Sequence, residues 1–198
     1  PEIQSTYHKT LREATEGLSE RAAKAIKENT TQYNFYRDLN ELNKAKSGGT
    51  PALGFFRLEP SKGVGKGSLH LDSFDKSSDT FPTLTHVYAH ELFHAVDGLE
   101  KATMKGLSSN KSFHEAWRAE ADKGYNYSKT APWEGFAEFG RMVQCGGYSR
   151  EELHEKFPKL SAYFEAEGLL SPTLKAKVQR IPTPMPPAFG KPVVEGDV

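Results

Sequence analysis

Apolar positions recur at two different periods along this chain, and the change of period divides it. Residues 12–28 carry Ala14, Leu18, Ala22, Ala25 and Ile26 at spacings of three and four, which predicts one amphipathic helix ahead of the body. Residues 32–39 set Tyr33, Phe35 and Leu39 among polar neighbours, and 53–58 form a compact apolar run behind Gly48, Gly49 and Pro51. Both predict strands. A glycine-rich turn at 62–67 leads into Ser68-Leu69-His70-Leu71-Asp72, whose alternation predicts a short strand with one solvated face at the edge of its sheet. The glycines of that turn follow neither a P-loop nor a dinucleotide-binding pattern, so they read as hairpin chemistry.

The helical period then takes over. Asp79 or Thr80 can cap a helix whose apolar side runs through Leu84, Val87, Leu92 and Val96, with Gly98 as its stop. Residues 113–123 predict another, followed by a loop with Tyr125 and Tyr127. A third opens near Pro132 and ends at Gly146-Gly147. The last begins behind Ser149, with Glu152 as capping-box partner, and runs through Phe157, Leu160 and Phe164. Strands followed by helices predict an α+β fold. The expected layout is a single domain over 1–180, with a small mixed sheet in 1–78 and a mostly helical part in 79–180. Beyond 181, Pro182, Pro184, Pro186, Pro187 and Pro192 resist both periods. That tail reads as a strap along the domain, a linker or a cleavable segment.

Composition narrows the function. Twenty-six Lys and Arg balance twenty-six Asp and Glu over 198 residues, so electrostatic capture of nucleic acid or of an anionic membrane is not expected. No stretch approaches the roughly 18 apolar residues of a membrane span. The expected partner is a peptide or a small molecule. The single cysteine, Cys145, excludes an internal disulfide framework and a cysteine-rich metal site. The chain opens at Pro1 rather than Met, which leads us to expect a processed form or an excised domain, secreted or delivered with a larger polypeptide rather than resident in the cytoplasm.

The chemistry is concentrated in His90-Glu91-Leu92-Phe93-His94. Residues four apart on a helix lie about 40° apart around the axis and about 6 Å apart along it, so both imidazoles can reach one cation. Neutral imidazole suits zinc, and a catalytic zinc takes three protein ligands so that water can hold the fourth position. Glu91, about 100° round the helix from His90, is placed to be the general base. The bland alternative is a helix whose histidines merely edge an apolar face. A third ligand must come from elsewhere. Asp97 and Glu100 stand where a metzincin needs Gly and His, which excludes that class. Forty residues after His94 comes Trp133-Glu134-Gly135-Phe136-Ala137-Glu138, on a predicted helix. Two carboxylates four apart repel each other unless cationic surroundings remove the cost. Glu134 is therefore the expected third zinc ligand, and Glu138 is expected to accept a proton from a ligand histidine and fix its tautomer.

HELFH followed by WEGFAE resembles the gluzincin metalloproteases, more narrowly the catalytic domain of anthrax lethal factor and the secreted Pro-Pro endopeptidases. The resemblance covers residues 68–170. It implies a zincin-like fold, peptidase activity and Zn2+, with His90, His94 and Glu134 as metal ligands, Glu91 as base and Glu138 behind the ligands. In that family a catalytic tyrosine precedes the ligand glutamate by seven residues, the place of Tyr127 here, implying that Tyr127 donates to the oxyanion. The strand at 68–72 resembles the family's substrate-side strand, where an extended peptide would pair. The same residues also suit a self-processing or maturation module of a larger phage or toxin polypeptide, or an inactive peptide-binding domain stabilised by zinc.

Overall fold

A helix that is apolar all round has to find neighbours on every side, and every residue from Leu84 to Asp97 is buried. The computed structural model describes residues 2–49, 51–72, 81–123, 126–171, 174 and 193–194, and among these it packs helices and sheet from both sides of the sequence against that helix. The chain order is α1 (Glu2–Thr15), α2 (Glu20–Asn29), β1 (Thr30–Tyr36), α3 (Leu39–Lys46), β2 (Gly54–Leu58), β3 (Gly67–Asp72), α4 (Phe81–Asp97), α5 (Lys111–Glu120), α6 (Pro132–Cys145), α7 (Arg150–Lys156), α8 (Pro158–Ala166) and β4 (Val193–Val194). The fold is α+β and mostly helical, with one small mixed sheet. Among the described residues, no helix is long and apolar enough to cross a membrane.

The sheet has the order β1-β3-β2-β4. β1 runs parallel to β3, β2 is antiparallel to β3, and the two residues of β4 pair in parallel with Arg57 and Leu58 of β2. This corrects the expectation of an edge strand at 68–72. β3 is paired on both sides, and all six of its residues are buried. Its alternating polar residues read as solvated, but they find partners inside the sheet, one of them in β1 far away in sequence. His70 Nδ1 meets the Tyr36 hydroxyl at 2.7 Å, and its Nε2 meets Ser68 Oγ at 2.9 Å.

Other departures are local. The single helix expected over 12–28 is two helices, because Ser19 caps a new start by accepting from the Ala22 amide. α3 takes over where strand was expected to continue to Leu39, since Asp38 Oδ1 accepts from the Asn40 and Glu41 amides. The last predicted helix breaks at Phe157 (φ −129, ψ 65), the residue before Pro158, which proline pushes out of helical geometry. The capping box of Ser149 and Glu152 is present. Asp79, Thr80, Tyr125 and the prolines at 182–192 lie outside the described residues.

Two contacts place the functional helix. A Cβ on Gly54 of β2 would sit 2.9 Å from Val87 Cγ1 and 3.3 Å from Glu91 Cγ, so only glycine lets β2 lie this close to α4. A Cβ on Gly140 would sit 2.2 Å from the Phe93 ring, which sets α6 hard against the other side of α4. Beyond that contact an aromatic seam continues: Phe136–Phe164 at 5.1 Å and Phe139–Phe164 at 4.7 Å between ring centroids, all three rings buried. Phe93 of α4 joins the same seam, 6.5 Å from Phe136 and 6.3 Å from Phe164; burial of each ring is worth about 1.5–3 kcal/mol, so α4, α6 and α8 are held as one unit.

Candidate metal centre

α4 and α6 carry the site between them. Helical spacing stacks His90 and His94 on one face of α4, their rings 4.9 Å apart and nearly perpendicular. On α6, Pro132 occupies the first turn, where a missing N–H costs nothing, and the helix then carries Glu134 and Glu138 inward. His90, Glu91, Glu134 and Glu138 are fully buried, and His94 is 2% exposed.

The geometry converges on one point. Glu134 Oε2 lies 3.2 Å from His90 Nε2 and 3.4 Å from His94 Nε2. His90, Glu91 and His94 offer ligand atoms within 4.8 Å of one another and could hold a metal ion. Glu91 is thus within reach of the same point, whereas contact with both Nε2 atoms belongs to Glu134. We give Glu134 precedence because one of its oxygens faces both imidazole nitrogens at once. His94 Nε2, Glu134 Oε1 and both Glu91 carboxylate oxygens are buried without a well-formed hydrogen bond, a concentration of underused polar atoms that folded proteins rarely tolerate. Two imidazoles and a carboxylate are a donor set for a divalent transition metal.

Behind His90, its Nδ1 lies 2.8 Å from Glu138 Oε1. Glu138 is gripped in turn by Arg141, with Nη2 to Oε2 at 2.9 Å and Nε to both oxygens at 3.3 Å. The other arm of the guanidinium, Nη1, donates to His86 Nδ1 at 2.7 Å. Among the described residues Arg141 is the one Lys or Arg that is buried, at 0% exposure.

The electrostatics follow from burial and charge. Burial pushes Glu91 up to about 8, reinforced by Glu134 and Glu138 and opposed by His90. Burial opposes a charge on His90 too, but its contacts with Glu134 and Glu138 outweigh it and raise the imidazole to about 10. His94 goes the other way, lowered chiefly by burial. Glu138 falls to about 2 because Arg141 and His90 overcome its burial, and Glu134 is lowered by His94 and His90 against the same opposition. Burial and the surrounding carboxylates raise the Tyr127 phenol, so it stays protonated.

Tyr127 lies in a short 3₁₀ turn, Asn126–Lys129, with its ring 5.9 Å from that of His90. Trp117 Nε1 donates to the Ser128 carbonyl at 2.7 Å, and Thr130 donates to the Tyr127 carbonyl through both its amide and its hydroxyl. The turn that presents the phenol is therefore pinned on two sides.

The fold thus gathers all six expected residues, His90, Glu91, His94, Tyr127, Glu134 and Glu138, in one place. His86, one turn before His90, is buried and bound to Arg141. Asp97 is taken up by the Ser108 amide and hydroxyl, both at 2.7 Å. Arg141 escaped the sequence reading. Its one signal was an arginine three residues after Glu138 inside the otherwise apolar run Phe136–Val143. No protein-family model, no curated protein and no solved structure matches this chain.

Proposed function

We propose that the chain is a zinc-dependent endopeptidase of the gluzincin type. The convergence of Glu134 Oε2 on the Nε2 atoms of both histidines, at 3.2 and 3.4 Å, carries this reading. Ligand atoms about 2.0–2.1 Å from a tetrahedral zinc stand about 3.3–3.4 Å from one another. The proton inventory agrees. A neutral imidazole has one N–H, and if Glu138 takes it at Nδ1, the Nε2 lone pair of His90 is left for a metal. The charges agree too: with Glu91 and His90 deprotonated, three buried carboxylates exceed one guanidinium by two negative charges, which one dication cancels and which protons on Glu91 and His90 cancel in its absence.

His90, His94 and Glu134 would hold the zinc, which when bound supplies a Lewis acid that acidifies water and polarises a peptide carbonyl. Glu91, beside the histidines, would take a proton from the attacking water and return it to the leaving amine. Tyr127 keeps its proton and donates to the oxyanion that develops on the carbonyl. Glu138 holds the His90 ring.

The test is Glu91→Gln, read together with zinc content. Wild-type protein with one equivalent of zinc should cleave members of a proteome-derived peptide library, scored by mass spectrometry. The variant should keep its zinc and lose about 100- to 10,000-fold in turnover, the span of general acid–base catalysis. Undiminished cleavage by the variant would overturn the mechanism. Zinc binding without any cleavage by the wild type would overturn the peptidase reading in favour of an inactive zinc-stabilised domain.

A further inference from the structure

We propose that Arg141 is a positioning residue of the metal centre: its guanidinium locks Glu138, and through Glu138 it fixes the His90 ring with Nε2 turned to Glu134 and His94. This rests on the zinc reading above and extends it by one link. The contacts run in series from His86 Nδ1 through Arg141, the Glu138 carboxylate and His90 Nδ1, at 2.7, 2.9 and 2.8 Å. None of these four side chains is more than 3% exposed. The chemistry of each link restricts the next. Arginine has no acceptor, so His86 Nδ1 is the acceptor and His86 is not doubly protonated. With Nη1 held there, Nε and Nη2 face Glu138, and the carboxylate cannot rotate without breaking charge-assisted bonds. Glu138 held in this way presents Oε1 to one imidazole nitrogen only, which sets the tautomer and plane of His90. Lysine could not replace this. A single ammonium carries the charge but not the planar fork that reaches a carboxylate and an imidazole together.

A merely structural arginine would support folding and leave the metal untouched, so the test reads the metal. Arg141→Met removes the fork and the charge, and Arg141→Lys keeps the charge alone. In the full chain, zinc affinity measured by competition with a chromogenic chelator should fall about 10- to 100-fold in Arg141→Met, the usual consequence of losing an outer partner of a ligand histidine. It should fall less in Arg141→Lys. The visible absorption of the cobalt(II)-substituted protein should shift in both. If Arg141 acts through Glu138, adding Arg141→Met to Glu138→Gln should cost little beyond Glu138→Gln alone. Wild-type affinity and an unchanged cobalt spectrum in Arg141→Met would overturn the proposal and leave the zinc reading standing. A wild type that binds neither zinc nor cobalt would remove the zinc reading itself and this proposal with it. Should Arg141→Met fail to fold, Arg141→Lys decides, since unaltered affinity and spectrum there would show that the fork does not act on His90.

Discussion

Two buried histidines, His70 in the sheet and His90 in the helix pair, sit in the same protein at opposite electrostatic extremes. His70 lies flat on Phe55, ring centroids 4.3 Å apart, and both its nitrogens are satisfied by hydroxyls, of Tyr36 and Ser68. Burial and the nearby Arg57 charge lower it to about 4. His90 is at least as buried, yet its nitrogens face Glu138 and Glu134, and it is raised to about 10. Burial of an imidazole therefore says nothing by itself about chemistry. Hydroxyl partners give a neutral ring that completes a sheet, whereas carboxylate partners give a cluster whose negative charge calls for a cation.

The largest way to break this comparison is to strip the metal with a chelator and follow stability against pH. The folded-state pKa of His90 is raised from 6.5, so its stabilisation is complete below about 6.5 and lost as pH rises through about 10. Glu91, raised from 4.5, acts in the same direction, its contribution waning between about 4.5 and 8. Metal-free protein should lose on the order of several kcal/mol between pH 6 and 10 in urea titrations. Zinc-loaded protein should lose far less, since the dication supplies the positive charge instead of protons. Parallel alkaline limbs for the two forms would mean that the carboxylate cluster is not a metal site.

A step smaller is Tyr127→Phe. The phenol is held beside His90 by the pinned turn, so its ring should stay in place when the hydroxyl goes. If the hydroxyl donates to the oxyanion, kcat should fall about 100- to 1,000-fold, with zinc affinity and thermal stability close to wild type. A fall in zinc affinity with kcat unchanged would move Tyr127 from the reaction to the metal's support and draw the boundary of the site differently.

The same contrast explains what could be read from the sequence. HELFH and WEGFAE were legible because each lies within one helix, where spacing alone fixes which side chains share a face. Five candidate residues followed from that, and the sixth, Tyr127, only from the seven-residue offset that the family resemblance implies. Arg141 did not, because its partner His86 lies on another helix 55 positions away and only packing at Gly140 brings the two together. The fold divides in the same manner. α4, α6 and the capping box at Ser149 were readable from local signals. The place of β3 in the sheet was misread because its polar alternation finds partners in β1, more than thirty residues upstream. Alternation reports that two faces differ in chemistry, and it cannot say whether the polar face meets water or a hydroxyl from another strand. His70 is part of the sheet's interior bonding.

His70 supplies the smallest and sharpest control. His70→Phe keeps a ring on Phe55 but removes the acceptor and donor that Tyr36 and Ser68 use, and Ser68 is only 3% exposed. At neutral pH the variant should be about 1–3 kcal/mol less stable, the cost of leaving such a group unpaired. Zinc content and kcat should not change. The pH dependence has the opposite sign to that of His90. With its pKa depressed from 6.5 to about 4, His70 contributes stability that is present above about 6.5 and lost as pH falls through about 4. The deficit of His70→Phe should therefore shrink toward pH 4, while the alkaline limb set by the carboxylate cluster stays as in the wild type. A change of kcat in this variant would mean that the sheet histidine reaches the reaction after all, and burial with hydroxyl partners could no longer be taken as the mark of a bystander.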